Sequence, residues 1–506
     1  MSSRQGLPNE LLELIFDHLR LPPLRLGSEL PDETFIENRA ALRSLCRSSQ
    51  LFREVARPLL YEKVILYIDE ENLTEDGELL AGSKNLMLLV RTLTQRPGFR
   101  DFIKYIACPM LLQTSPWWHQ DDRAELVSAS WKYNKADFSD LLGDDWLVFR
   151  LAGLRTSDSA PQSSEDDVAG IAEKLLAVLL CLTPSLETLL MHTIERQRYR
   201  ILNRTIAQAL KHERLKDQTL PKLRTLQFQL PPRSVQVPEL GRAECATVYE
   251  CPVLLSLPSI RRIDTWHDEM SYIDDFSWVG KIEELDLVSQ TSAETYCRLC
   301  EHAGNLRKLS IDIFNISTEF SGIFGTGTDL NAAIVHLAKT LQEFRVFTRY
   351  RDDYDSYLPP SARLTCLPKL KHLEILSVDR KVLFRNEAEL QELGLADRLP
   401  PNLQVLNLYE DWHLLGPNPT DIELENNTPP SDEMYMIAFL DLEARRHERL
   451  PKLRKISLWP SNHCRRYSRL ELRDNTLDQI RRLLEGASVE FSWLRRWPRE
   501  FRWDDI

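Results

Sequence analysis

The stretch of sequence that decides the fold is Leu220-Pro221-Lys222-Leu223-Arg224-Thr225-Leu226-Gln227-Phe228, because close copies of it return along the chain. The lead Leu-Pro-Lys opens two further copies, at Leu367-Pro368-Lys369 and at Leu450-Pro451-Lys452. The pattern L-x-x-L-x-L itself recurs about nine times, which makes chance a poor explanation. The copies begin at Leu186, Leu223, Ile260, Ile282, Leu306, Leu341, Leu370, Leu403 and Leu453.

The repeated pattern resembles the strand portion of a leucine-rich repeat. Apolar residues at alternate positions of a short parallel strand bury one face, and the next copy stacks beside it. Helical or irregular returns between the copies are predicted, for example at 293–302, 330–340 and 474–485. The copies are about 22 to 50 residues apart, against ~20–29 in regular repeats, and the asparagine that usually follows the strand is missing. The sequence therefore predicts an irregular α/β solenoid with long insertions and weak internal hydrogen-bond ladders.

The N-terminal stretch shows a different pattern, that of short apolar helices. Leu11, Ile15 and Leu19 recur at i, i+4 and i+8, and Pro8 suits the first turn of a helix, where its missing N–H is not needed. A second helical stripe runs over 42–56, and we predict that Pro58 ends that helix. Helices so short and apolar need a partner, either in the same chain or outside it.

These N-terminal residues resemble an F-box, in particular that of filamentous-fungal F-box/leucine-rich-repeat proteins. The resemblance covers about the first 65 residues and rests on the Leu7-Pro8 start, on Leu42-x-x-Leu45-Cys46-Arg47-x-Ser49 and on the exit Pro58-Leu59-Leu60-Tyr61. The sequence departs from the family's pattern between 20 and 38, where the segment 21–33 is longer than the usual linker between the first two helices. The resemblance implies a three-helix hook that binds the Skp-type adaptor of SCF (cullin–RING) ubiquitin ligases. The implied adaptor-facing and core residues are Leu7, Pro8, Leu11, Ile15, Leu19, Leu42, Leu45 and Phe52. The alternative is a small helical cap on the downstream domain.

Together these patterns predict an α/β protein with three parts. Residues 1–66 form the helical F-box, and 67–182 form linking strands and helices with an irregular insertion. Residues 183–506 form the leucine-rich-repeat-like solenoid with a C-terminal cap.

Composition limits the partners. The 506 residues carry 76 acidic and 64 basic side chains, a net charge of −12, which argues against nucleic acid because phosphate binding needs clustered Lys and Arg. The longest apolar run, 175–182, is far short of the ~20 residues that span a bilayer, so no membrane is expected. The nine cysteines do not show the short spacings of a disulfide framework, which indicates a reducing compartment. The first residues of the sequence contain no apolar signal region. We expect a cytoplasmic or nuclear protein.

A target-binding surface is predicted on the face opposite the leucines. Aligning the copies places five residues in one register, directly after the second strand leucine, and four of them are aromatic: Gln229, Trp266, Phe347, Tyr409 and Trp459. Aromatic anchors with charged neighbours are typical of a concave recognition surface. The charged neighbours are Asp264, Asp286, Lys308, Glu343, Arg345, Glu374 and Lys455. The alternative is that each ring packs under its own following loop. Acidic loops at 268–276, 350–360 and 412–432 would suit a basic segment of a partner.

Motifs for chemistry are not found. Cys297-x-x-Cys300 with His302 is half a metal site without a second pair, and two half-buried cysteines on a helix explain it better. No catalytic residue, metal site or cofactor is predicted. The sequence therefore predicts the substrate-recognition subunit of an SCF-type E3 ubiquitin ligase, which binds an adaptor, through it a cullin, and an unknown target protein. A leucine-rich-repeat interaction scaffold outside any ligase is the main alternative, and an enzyme with a scattered site is a third.

Overall fold

A computed structural model of the chain describes residues 9–24, 31–66, 78–108, 165–192, 199–229, 251–268, 275–289, 293–314, 330–349, 364–384, 387–410, 432–460 and 474–493. The chain divides into two compact units, Met1–Asp268 and Glu269–Ile506. Both predicted domain boundaries, after 66 and after 182, fall inside the first unit. No helix in the described ranges is long and apolar enough to cross a membrane.

The first unit contains helices and short strands. Its described α-helices are α1 (Asn9–Asp17), α2 (Glu33–Ser48), α3 (Gln50–Glu62), α4 (Glu78–Gln95), α5 (Glu165–Cys181), α6 (Arg200–Lys211) and α7 (Pro252–Ser256). Its described strands are β1 (Lys63–Ile65), β2 (Tyr105–Cys108), β3 (Thr188–His192), β4 (Thr225–Gln229) and β5 (Arg262–Asp268). These five strands pair in chain order, and every pair is parallel.

The second unit follows the same plan. Its described strands are β6 (Glu284–Ser289), β7 (Lys308–Phe314), β8 (Glu343–Arg349), β9 (Ile375–Asp379), β10 (Val405–Glu410), β11 (Lys455–Pro460) and β12 (Glu490–Trp493). They also pair in chain order and in parallel. The described α-helices between them are α8 (Ala293–His302), α9 (Leu330–Val335), α10 (Glu387–Glu392), α11 (Leu395–Arg398), α12 (Asp432–Arg449) and α13 (Asp474–Gly486). The α/β prediction is confirmed, since parallel strands alternate with helices.

The leucines of the repeat form the core, because strand pairing sets them side by side. One row of aligned residues in the second unit is fully apolar and buried throughout, so the side chains of neighbouring strands pack against one another along the row. The row consists of Leu285, Leu309, Phe344, Leu376, Leu406, Ile456 and Phe491.

The hydrogen bonds between repeats are regular, so the predicted weak ladders are wrong. The carbonyl oxygen just before a strand accepts two backbone N–H groups from the next repeat. Glu187 O, for example, accepts from Arg224 N at 2.9 Å and from Thr225 N at 3.0 Å. The same pair of hydrogen bonds recurs at the carbonyl oxygens of Lys104, Arg224, Glu283, Arg307, Gln342, Glu374 and Gln404. Backbone groups supply this order, so it needs no asparagine at a fixed position in every copy.

Candidate functional site

Helix α1 has two apolar faces, of which one is buried and the other is exposed. Leu12 and Phe16 are buried, whereas Leu11, Leu14 and Ile15 are 45%, 64% and 51% exposed. Residues at i, i+3 and i+4 lie on one side of a helix, so the three exposed side chains form a continuous aliphatic strip. We call this strip the α1 triad. Large aliphatic side chains grouped in this way at a surface mark an interaction site more often than isolated ones do.

Local bonds define the ends of α1 and the start of α2. After α1, Leu19 N donates to Phe16 O at 2.8 Å, and Arg20 Nε reaches Asp17 Oδ1 at 2.7 Å. Helix α2 begins at Asp32, whose side chain accepts from Phe35 N at 2.8 Å. An aspartate at this position satisfies one of the N–H groups that a helix start leaves open. The connection between the helices therefore runs from 18 to 32, close to the predicted linker 21–33.

The predicted single helix over 42–56 is in fact two helices, and the break is at Ser49. This residue is extended, and its hydroxyl accepts from Phe52 N at 3.1 Å, so it caps the start of α3. Arg53 Nε donates to Cys46 O at 2.9 Å, which satisfies a carbonyl at the end of α2. Pro58 lies inside α3, so the prediction that it ends the helix is wrong. The serine cap, not the proline, divides this segment.

Helices α1–α3 pack on the face of β1–β3 that points away from the leucine core. One buried cluster joins both parts, and the Phe16 and Phe52 rings meet edge to face at 5.7 Å within it. The strands contribute Ile65, Tyr105, Ala107 and Leu190. The helical segment contributes Phe16, Leu21, Leu24, Phe35, Leu42 and Ala56. The three helices therefore have no separate core, and their position on these strands is set by close packing.

Burial also controls the ionisable groups of the cluster. The Tyr105 hydroxyl donates to Leu24 O at 3.4 Å, and burial raises the pKa of this phenol. Burial likewise raises the pKa of the Cys46 thiol, although Arg57 and Arg53 act against it. Both groups are therefore neutral at pH 7, and the inner face of the helices carries no charge.

The outer side of α2 is different, because it carries charged side chains, with Glu33 exposed at the start of the helix and arginines exposed towards its end. Ile36, Arg43 and Arg47 are exposed and lie on one side of the helix. The exposed surface of the helical segment thus combines aliphatic and guanidinium groups.

The structure separates the predicted adaptor-facing residues into two groups. Leu11 and Ile15 are exposed in the α1 triad, whereas Leu42 is buried, and Leu19, Leu45 and Phe52 pack against the buried cluster. Leu7 and Pro8 lie outside the described residues. The sequence analysis missed Leu14, which is the most exposed large hydrophobic side chain among the described residues. Its position three residues after Leu11, away from Leu12 and Phe16, was the available signal.

The predicted register of aromatic residues is present within each unit. Gln229 pairs with Trp266, and Tyr409 pairs with Trp459. The Tyr409 and Trp459 side chains are only 4% and 8% exposed, and their rings stack at 6.1 Å. Burial also raises the pKa of Tyr409. These two rings fit the alternative of internal packing, while the side chains of Trp266 and Phe347 lie outside the described ones.

Charged residues on the same face of the second unit neutralise one another. Arg345 Nε donates to Glu343 Oε1 at 2.7 Å, and Lys308 Nζ lies 3.3 Å from Glu284. Lys455 pairs with Glu490 at 3.0 Å. In the first unit, Arg262 Nε lies 2.9 Å from Asp264 Oδ1, and Gln227 Nε2 donates to Asp264 Oδ2 at 2.9 Å. The acidic loops predicted at this edge lie almost wholly outside the described residues.

The cysteines of the described ranges are all free thiols. Cys297 and Cys300 are buried on α8, and burial raises the pKa of Cys300. Burial raises the pKa of Cys108 and of Cys181 to about 12, so these thiols are protonated and unreactive at pH 7. Within the described part of the chain, no group of three or more His, Cys, Asp or Glu could hold a metal ion.

No protein-family model matches the chain, and no curated protein is significantly similar to it.

Proposed function

We propose that the chain is the substrate-recognition subunit of an SCF-type (cullin–RING) E3 ubiquitin ligase. In this proposal, α1–α3 form an F-box that docks a Skp-type adaptor and, through it, a cullin. The parallel strands and their helices form a leucine-rich-repeat-like solenoid that binds the target protein. Other subunits transfer ubiquitin, and this chain contributes no catalytic residue.

The α1 triad is the observation that carries the proposal. A helix anchored through Leu12 and Phe16 that still presents three large aliphatic side chains to water has surface to bury against another protein. Burying an exposed aliphatic side chain contributes roughly 1.5–3 kcal/mol when the burial is complete. These three side chains are about half exposed, so each gains about half of that amount, and together they can form the apolar centre of a larger interface.

The charge around the helices indicates the chemistry of the partner. Arg43 and Arg47 are exposed on α2, next to the exposed Ile36 on the same side. A partner surface with an apolar centre and acidic flanks is complementary to this arrangement, and such charges increase the rate of association. We therefore expect an adaptor with a negatively charged rim.

The shared core of α1–α3 and β1–β3 also supports the proposal. Domains joined by a short linker move relative to each other unless a large apolar interface prevents it. Here Tyr105, Ala107 and Leu190 pack directly under the helices. An adaptor on the α1 triad would therefore be held at a fixed position on the first strands, as a ligase needs in order to present its target.

The test is a titration of the purified Skp-type adaptor against three forms of the full chain. In the first variant, Leu11→Gln, Leu14→Gln and Ile15→Gln are combined, because glutamine keeps helix propensity while removing aliphatic surface. We expect the triple variant to lose at least ~2 kcal/mol of binding free energy, roughly a 30-fold loss of affinity. The matched control is Leu88→Gln, an equally exposed leucine on α4, which should bind within about twofold of wild type.

Deleting the helices would be a poorer test than these point variants. Removal of 1–62 would expose Ile65, Tyr105, Ala107 and Leu190 to water and destabilise the strands beneath. Wild-type affinity in the triple variant would contradict the adaptor assignment. Adaptor binding combined with target turnover that does not depend on the cullin would favour the scaffold alternative.

A further inference from the structure

A second exposed apolar surface lies in the second unit, on helices between strands. Leu393, just after α10, is 46% exposed, and Leu440, in the middle of α12, is 47% exposed. The opposite side of α12 is buried in the core through Tyr435, Ala438, Phe439 and Leu442. Leu440 therefore points away from the core.

The chain segments that carry the two leucines are in contact. A Cβ atom at Gly394 would collide with the carboxylate of Asp441, so this backbone and this side chain touch. Asp441 Oδ2 also accepts from Ala396 N at 2.9 Å. Gly394 follows Leu393 and Asp441 follows Leu440, so the two exposed leucines belong to segments that meet at this contact.

Ion pairs make this surface rigid. Asp397 on α11 pairs with Arg445 at 2.5 Å and with Arg449 at 2.8 Å, both on α12. Arg398 Nε donates to Leu393 O at 2.8 Å and fixes the chain at that point. A surface whose backbone is fixed in this way loses little conformational entropy when a partner binds.

The row of residues along α12 through Leu440 extends the apolar surface. Ile437 and Ala444 lie three residues before and four residues after Leu440, so they occupy the same side of the helix. Ile437 is half-buried and Ala444 is exposed. We call Leu393, Ile437, Leu440 and Ala444 the α12 patch.

The charge beside the α12 patch is negative. Glu433 and Glu443 lie seven residues before and three residues after Leu440, so they flank the same row. Among the described residues no ion pair involves either carboxylate. The arginines of α12 are engaged elsewhere: Arg445 and Arg449 with Asp397, and Arg446 with Leu453 O and Ala487 O. The acidic flank is therefore available to an incoming cation.

We propose that the α12 patch is a docking surface for a cationic amphipathic helix of a protein partner. This inference rests on the proposed function, since it names the class of target segment that a substrate-recognition subunit would hold. An apolar stripe at i, i+4 and i+7 on the partner matches the row through Leu440, and Lys or Arg beside that stripe meets Glu433 and Glu443. A second copy of this chain fits poorly, because its own acidic flank would be repelled.

The test uses two synthetic helical peptides of about 16 residues, a length that covers the patch on α12. Both carry leucines at i, i+4 and i+7, and their flanking positions are lysine in one and glutamate in the other. Fluorescence anisotropy of each labelled peptide is measured against the full chain without any adaptor. We expect the lysine peptide to bind at least about tenfold more tightly than the glutamate peptide.

Variants of the full chain locate the binding. Leu440→Gln should weaken the lysine peptide at least about tenfold, whereas the control Leu88→Gln, on α4, should leave it within about twofold. The double variant Glu433→Lys and Glu443→Lys should reverse the preference, so that the glutamate peptide binds better. Because both positions lie on the outer side of α12, this variant tests the proposal even if Leu440→Gln is poorly folded.

Three results would overturn the proposal. The lysine peptide could fail to bind wild type, Leu440→Gln could bind it as tightly as Leu88→Gln does, or the charge reversal could leave the preference unchanged. The second result would mean that the net charge of −12 attracts the peptide without a site. Since the adaptor is not in the assay, failure here leaves the adaptor assignment intact, and failure of the α1 triad variants leaves this measurement intact.

Discussion

The sheet face opposite the leucine core is built differently under α1–α3 and in the second unit. In β1–β3 it contributes Ile65, Tyr105, Ala107 and Leu190 to the buried cluster that α1–α3 cover. In the second unit the same face carries polar groups that bond to one another, such as Asn407 Nδ2 to Ser377 Oγ at 3.0 Å and Ser492 Oγ to Ser457 Oγ at 2.9 Å. The repeat fixes only one face of each strand, and the residues between the leucines decide what the other face can hold.

Charge follows the same division. The cluster under α1–α3 contains no charged side chain, whereas β6–β8 carry Glu284, Lys308, Glu343 and Arg345 on their outer face. An apolar face gains stability when another element covers it, but a face of paired ions gains little because desolvation cancels much of the attraction. Only the first kind of face is suited to permanent cover by helices.

The largest effect is expected from placing a charge in the covered face. Ala107→Asp puts a carboxylate into the fully buried apolar cluster, and we expect it to lower the free energy of unfolding by at least ~4 kcal/mol. Urea unfolding followed by circular dichroism measures the loss. The matched control is Ser310→Asp, on the half-exposed polar face of β7, where the change should stay below ~1 kcal/mol. Similar losses for the two variants would remove the difference between the faces.

The next effect concerns the rings in the polar face. Tyr409→Ala should lower the free energy of unfolding by about 3 kcal/mol, because the buried ring stacks on Trp459. Tyr409→Phe keeps the ring and should cost less than ~1.5 kcal/mol. Thermal and urea unfolding of both variants give the values. If Tyr409→Ala kept wild-type stability and lost a bound partner, the ring would belong to a recognition surface after all.

The smallest effect is expected from a comparison of a buried and an exposed ion pair on this face. Glu343 and Arg345 are largely buried, so Glu343→Gln should cost about 1–2 kcal/mol by leaving the guanidinium with a weaker partner. Lys455→Gln removes one half of the exposed pair with Glu490 and should cost less than ~0.5 kcal/mol. Urea unfolding in low and high salt measures both. Equal losses would show that burial does not decide the strength of these pairs.

Much of the fold could be read from the repeat. The L-x-x-L-x-L copies gave the positions of most strands and their parallel order, and 293–302 was placed correctly as α8. The boundary between α2 and α3 was not predicted, because a serine that caps a helix is a weaker sequence signal than the proline at 58. The regular pairs of hydrogen bonds to Glu187 O and to the equivalent carbonyl oxygens could not be predicted from the sequence. Backbone groups form these bonds, and the side-chain pattern carries no information about them.

The candidate surfaces were harder to predict than the fold. Periodicity assigned Leu11, Ile15 and Leu19 to one stripe, but only contacts with Phe52 and the strands show that Leu19 faces inward and Leu14 outward. The α12 patch had no sequence signal, because Leu393 and Leu440 are 47 residues apart, and only the folded chain brings their segments together, for example at the Gly394–Asp441 contact. The aromatic register was visible, yet the burial of Tyr409 and Trp459 was not.

The sequence by itself determined that parallel strands repeat along this chain and that helices precede them at the N-terminus. It could do so because strand and helix periods are local properties of the side-chain order. The tertiary structure alone decided which faces are covered and which remain exposed. That outcome depends on residues far apart in the chain, such as Leu24 with Tyr105 and Gly394 with Asp441, whose proximity no local period encodes.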